Sequence, residues 1–196
     1  MNILVILAHP NRESFNHAIA KRVVAALKRQ GHSAIFHDLY AEKFNPILSF
    51  EEMRKSTPID SKIKIYCDEL TGADGLVFVH PNWWGQPPAI LKGWIDRVFK
   101  PGVAYAFKEG DGGEGVPTGL LAGKIALVFN TSDTPDKREV DFFGDPLDRT
   151  WKKCLFEFCG IGKYSRQMFN IITTSTFEQR HKWLDEVEAI TGQYFP

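Results

Sequence analysis

Met1-Asn2-Ile3-Leu4-Val5-Ile6-Leu7-Ala8-His9-Pro10-Asn11-Arg12-Glu13-Ser14-Phe15-Asn16 opens the chain, and its succession of residue types decides the fold. Ile3 to Ala8 is apolar without alternation, the pattern of a strand buried on both faces in the middle of a parallel sheet. A polar loop follows, and Ser14 stands where a helix N-cap is expected. Beyond it Ile19, Val23, Val24 and Leu27 share one face of a helix over residues 15–30, with Gly31 as its stop. Strand, polar loop and helix make the first half of a βαβ unit.

The same alternation continues along the chain. Residues 76–79 and 125–129 are further unbroken apolar runs, and 33–39 and 167–173 are weaker strand candidates. Helical periodicity marks residues 88–99, 145–158 and 176–191, and more weakly 59–70. Right-handed crossovers fold such a chain into a doubly wound α/β domain: a five-stranded parallel sheet, order 2-1-3-4-5, with helices on both faces. No repeat, low-complexity tract or linker divides residues 1–196, so one domain is expected; residues 110–115, rich in glycine, read as a mobile loop.

Composition narrows the function. Lys+Arg and Asp+Glu both number 24, and that balance argues against a nucleic-acid binder, which carries a basic excess. It also argues against an acidic electron shuttle that docks on basic partners. The apolar N-terminal run lacks a basic leader and is short for a signal peptide, and no stretch approaches the ~18 apolar residues of a membrane span. Cys67, Cys154 and Cys159 show no metal-ligand spacing. A cytoplasmic protein with reduced thiols, no metal site and no membrane insertion is expected, with Cys154 and Cys159 as buried small hydrophobes.

In doubly wound sheets ligands bind beyond the carboxyl ends of the strands, which directs attention to three loops. In the first, the N–H groups after Ser14, the helix dipole, Arg12 and the Ser14 hydroxyl suit a phosphate or pyrophosphate. A Ser that only caps the helix and a His9 that only closes the strand are the alternative. Neither G-x-x-x-x-G-K-[ST] nor G-x-G-x-x-G is present. The second loop, His80-Pro81-Asn82-Trp83-Trp84-Gly85-Gln86-Pro87-Pro88, sets adjacent tryptophans in a polar, proline-rich stretch. One is expected to plug the cleft and the other to stack on a flat heterocycle. The residues alone thus indicate a planar, anionic ligand.

Three stretches carry a resemblance: His9-Pro10 with Ser14-Phe15-Asn16; Asp38-Leu39-Tyr40-Ala41 with Phe44-Asn45-Pro46-Ile47; and Pro88-Ala89-Ile90-Leu91-Lys92-Gly93-Trp94-Ile95-Asp96-Arg97-Val98-Phe99. Together they resemble the flavodoxin-like NAD(P)H:quinone oxidoreductases of the DT-diaphorase type and their smaller bacterial relatives, through residues 2–107 and again around 123–131. The resemblance implies a homodimeric flavoprotein that binds FAD or FMN. It implies two-electron transfer from NADH or NADPH to quinones by a ping-pong route. It places His9, Ser14, Phe15 and Asn16 at the flavin phosphate arm, and Pro81, Asn82, Trp83 and Trp84 at the isoalloxazine. Tyr105, with Phe107 beside it, falls where a residue reaches the neighbouring subunit's substrate pocket.

The third loop departs from the family. Asn130-Thr131-Ser132-Asp133-Thr134-Pro135 replaces its Thr-Thr-Gly-Gly, though Asn130, Thr131 and Ser132 could still bond a cofactor. Residues 136–145 lack the Tyr and His that the diaphorase branch uses, so no catalytic residue is carried over. Arg138, Glu139 and Asp141 read as a solvated face, with Arg138 beside nicotinamide phosphates as the sharper alternative. A flavin-binding regulatory or electron-carrier subunit, for example of a potassium-efflux system, is the competing functional reading. Absence of a G-x-S-x-G elbow speaks against a hydrolase.

Overall fold

The computed structural model describes residues 1–54, 58–108, 110–111 and 114–196, so Gly112 and Gly113 of the glycine-rich loop lie outside the described residues. Its centre is a parallel sheet of five strands: β1 (Asn2–Leu7), β2 (Ser33–Asp38), β3 (Gly75–Pro81), β6 (Ile125–Ser132) and β7 (Lys163–Asn170), in the order β2-β1-β3-β6-β7. This is the expected 2-1-3-4-5 arrangement, with a small hairpin of β4 (Tyr105–Ala106) and β5 (Thr118–Gly119) inserted before the fourth sheet strand.

Burial explains why the central strands read so clearly. Ile3, Leu4, Val5, Ile6 and Leu7 of β1 are all wholly buried, because their side chains feed two separate cores. Leu4, Ile6, Leu76, Phe78, Ala126 and Val128 face one core, with Trp94 and Trp151. Ile3, Val5, Val77, Val79, Leu127 and Phe129 face the other, with Phe15, Ile19, Val23 and Trp183. Period-2 alternation within an all-apolar run thus divides the strands between two helical layers.

Helix α1 (Phe15–Arg29) begins at Ser14, whose Oγ accepts from His17 N–H over 3.3 Å, and ends before Gly31 at φ +80°, a conformation that favours glycine. Helices α2 (Ser61–Gly72), α3 (Ala89–Val98) and α5 (Phe177–Tyr194) match their expected segments within a few residues. Two expectations change. The last strand starts four residues earlier than residue 167, at Lys163, because the charged and aromatic residues 163–166 conceal a strand that pairs along its length with β6. The helix expected over 145–158 is instead one α-turn, α4 (Pro146–Arg149), that continues as a wider π-helix over Thr150–Glu157. Among the described residues no helix is long and apolar enough to cross a membrane.

Candidate functional site

The carboxyl ends of β1, β3 and β6 open onto a cavity of about 380 Å³. His9, Ser14, Phe15 and Asn16 from the first loop line it, with Pro81, Asn82 and Trp83 from the second and Thr131 and Ser132 from the third. Three loops far apart in sequence therefore meet at the strand-order reversal between β1 and β3, the position that topology prescribes.

The first loop is held from within. Asn11 N–H donates to His9 Nδ1 over 3.1 Å, and burial holds the His9 imidazole below its ordinary pKa. His9 Nδ1 also lies 3.2 Å from the Asn11 carbonyl, so Asn11 holds the ring in either tautomer. Ser14 Oγ and His17 Nδ1 are 3.0 Å apart, and His17 Nε2 lies 3.1 Å from Asp38. These contacts link the Ser14 cap through His17 to the Asp38 carboxylate. The first-turn amides of α1, without intrahelical partners, are the donors that this end of the helix offers.

Asn16 and Asn82 bridge the loops. Asn16 Nδ2 donates to Thr131 Oγ1 over 2.8 Å, and Asn82 N–H to the Thr131 carbonyl over 2.6 Å. Asn82 Nδ2 donates to Glu139 Oε1 over 2.9 Å. The carboxamide oxygens of both asparagines are buried without a hydrogen-bond partner. A buried acceptor left unsatisfied costs on the order of 1–3 kcal/mol, so both oxygens carry unmet hydrogen-bonding demand where the loops meet.

Several expected residues stand elsewhere. Arg12 is exposed and does not line the cavity; the cation on its wall is Arg180. That guanidinium is fixed by bonds to Ser175 Oγ at 2.8 Å and the Ile172 carbonyl at 3.0 Å. Phe15 reaches the wall, but it is buried and its ring packs in the core against Phe169 and Trp183. Asn130 is wholly buried and off the cavity, because β6 runs on to Ser132 and alternation turns residue 130 to the opposite face from Thr131. Neither tryptophan plugs the cleft: Trp83 lines it half-exposed, and Trp84 is fully exposed at the tip of a turn. Tyr105 and Phe107 meet edge to face at 5.8 Å, and Tyr105 lines a separate cavity of about 600 Å³ with Leu48, Met53 and Phe99. Within one chain they share no wall with the first cavity.

Two further residues escaped the sequence reading. Glu139 is 2% exposed rather than solvated, because the backbone over Arg138–Phe142 forms a π-helical turn that rotates it inward. His80 is wholly buried; Trp151 Nε1–H donates to its Nε2 over 3.1 Å and its Nδ1–H donates to the Pro81 carbonyl over 2.8 Å. Burial drives its pKa down to about 4, so it stays neutral and fixes the start of the Pro81–Trp84 loop. Outside the site, Cys159 is buried as expected but Cys154 is exposed.

Comparison with known proteins agrees with this geometry. Residues 1–189 match the Flavodoxin_2 family, described by its flavodoxin-like fold. An uncharacterized NAD(P)H oxidoreductase of Haemophilus influenzae is 36% identical over 88% of this chain and 85% of its own. The rat NAD(P)H dehydrogenase [quinone] 1 is 35% identical over 53% of this chain, a match that spans 45% of the rat protein. The crystal structure of Smu.1420 from Streptococcus mutans superposes with a TM-score of 0.84 at 34% identity, covering 97% of this chain and 98% of that one. The chain therefore belongs to the flavodoxin-like family, Flavodoxin_2, among whose members these NAD(P)H oxidoreductases are its relatives.

Proposed function

We propose that this chain is a flavin-dependent oxidoreductase that passes two electrons from NADH or NADPH to quinones or similarly flat acceptors. One observation carries the reading. A single cavity combines the amides of a helix N-terminus, the Arg180 cation, the Trp83 indole and two orphaned carboxamide oxygens, Asn16 Oδ1 and Asn82 Oδ1. These match in kind a phosphate, a flat ring and ring N–H donors, so the residues present fit a phosphorylated flavin. The names of the relatives supply the electron donor and the acceptor class.

A bound flavin supplies hydride acceptance and two-electron release, for which no protein acid is required. The chain's residues bind and orient. The first-turn amides and Arg180 would hold the phosphate, with His9 beside them, and Trp83 would wall the ring. Donor and acceptor would use the same site in turn, which gives ping-pong kinetics and parallel double-reciprocal lines; intersecting lines would sink the shared site. A two-fold homodimer would carry Tyr105 and Phe107 of one copy to the other's cleft, and sedimentation at micromolar concentration reads it.

The decisive experiment is the absorption spectrum and mass of the cofactor released from purified protein, which also separates FAD from FMN. Flavin bands are expected, after reconstitution if not before. Their absence, with no change in added flavin's fluorescence, would overturn the reading.

A further inference from the structure

Beside the first cavity lies a second of about 600 Å³, lined by Asn82, Trp84, Gly85, Thr134, Glu139, Phe142, Phe143 and Pro146. Asn82 and Thr134 belong to both walls, so the two cavities adjoin. The aromatic lining is unusually open to solvent: Trp84 is fully exposed and Phe142 is 80% exposed. At its base is the Glu139 carboxylate, 2% exposed.

Glu139 is poorly explained as scaffolding. Among the described residues its side chain makes one hydrogen bond, from Asn82 Nδ2, and enters no ion pair. A neutral glutamine would accept that bond equally well. A carboxylate has about four lone-pair sites, and burying one without a cation is costly unless other donors reach it. The described residues supply none, which leaves the second oxygen for a donor that arrives with a ligand. Trp84 points the same way. It sits at φ +56°, followed by Gly85 at φ +69°, with Trp83 and Gln86 closing the turn by a reciprocal pair of 3.0 Å backbone bonds. Left-handed backbone at a large non-glycine residue carries strain, and such strain gathers at ligand sites.

We infer that this pocket selects a planar aromatic molecule bearing an N–H donor, an arylamine or an amino-substituted heteroaromatic, with the amino group on Glu139 and the ring between Trp84 and Phe142. On the proposed flavin reading this molecule occupies the acceptor's place, and amino- or imino-substituted quinonoid acceptors are preferred over plain quinones. A plain quinone presents only carbonyl oxygens, which a carboxylate repels.

The test compares two redox-inert probes of equal shape, 2-aminoquinoline and 2-methylquinoline, by calorimetric titration of the flavin-loaded protein and of the protein as purified. Hydrogen bonds to charged groups are worth about 1.5–3 kcal/mol, so the amine should bind at least ~10-fold tighter. Glu139→Gln keeps an acceptor for Asn82 and should shrink that ratio by about an order of magnitude while sparing the methyl probe. Trp84→Asn should weaken both probes alike, leaving the ratio unchanged. Equal affinities in the unsubstituted protein, or a ratio that survives Glu139→Gln, would overturn the assignment. Flavin uptake is read in the same samples by absorbance. Uptake without amine preference sinks this inference alone, and preference without uptake sinks only the flavin reading.

Discussion

Asn82 and Glu139, 57 positions apart, are joined by a 2.9 Å hydrogen bond from the amide Nδ2 to the carboxylate Oε1. The bond ties the loop after β3 to the π-helical turn after β6, the two segments that part the first cavity from the second. The position of the loop after β3 therefore depends on a residue from the stretch where the sequence departs from its family.

Removing the donor should be costlier than neutralising the acceptor. Asn82→Ala leaves a buried carboxylate with no partner, and breaking one side of such a contact costs about 3–5 kcal/mol for a full ion pair and less for this charged–neutral bond. A loss of about 2 kcal/mol is expected in urea unfolding, against under about 1 kcal/mol for Glu139→Gln. The reverse order would mean that Glu139 is stabilised by something other than Asn82.

On the proposed flavin reading, Arg180 takes the electrostatic share of phosphate binding that the sequence assigned to Arg12. Arg180→Ala should weaken FMN by roughly tenfold or more, the value of a charged hydrogen bond, and leave riboflavin, which has no phosphate, nearly unchanged. Arg12→Ala should affect neither ligand strongly, because Arg12 is off the cavity. Fluorescence titration with both flavins decides, and equal weakening of the two by Arg180→Ala would move the phosphate elsewhere.

His80 predicts an acid limb in stability. Its pKa falls from 6.5 to about 4 through burial, so the unfolded chain takes up a proton first as pH drops. Stability attributable to neutral His80 is complete above pH 6.5 and is lost progressively down to about pH 4. At ~1.4 kcal/mol per unit, the loss is about 3 kcal/mol. His80→Gln retains a donor for the Pro81 carbonyl and an acceptor for Trp151, and should flatten this limb by about 2 kcal/mol in denaturant titrations at pH 7 and pH 4.5. An unchanged difference between the two pH values would contradict the buried neutral assignment.

Legibility followed the length scale of each signal. The sheet was readable because Ile3–Leu7 and its neighbours bury both faces, and unbroken apolar runs survive any detail of packing. The cavity was readable because Ser14, Asn16, Asn82 and Trp83 lie in loops whose place the topology dictates. Glu139 was not, since a charge among Lys137, Arg138 and Asp141 looks solvated until a π-turn rotates it inward. Arg180 was hidden for a related reason: one basic residue on a polar helix start carries no mark of the Ser175 and Ile172 contacts that aim it. Asn130 failed through register, where one step along β6 exchanges cavity for core.

Trp84 offers the last prediction, in which stability and binding move in opposite directions. The turn from Trp83 to Gln86 has positive φ at both central residues, +56° and +69°, the pattern of a type I′ hairpin that strongly prefers Asn-Gly. A tryptophan there carries about 1–2 kcal/mol of left-handed strain. Its indole is fully exposed, so it recovers nothing by burial. Trp84→Asn should therefore raise stability by about 1 kcal/mol in denaturant unfolding while weakening planar ligands of the second cavity several-fold. Loss of stability would show that the indole has packing partners in the folded protein in solution, such as a second copy of the chain. Gain of stability with undiminished ligand affinity would remove Trp84 from the pocket wall.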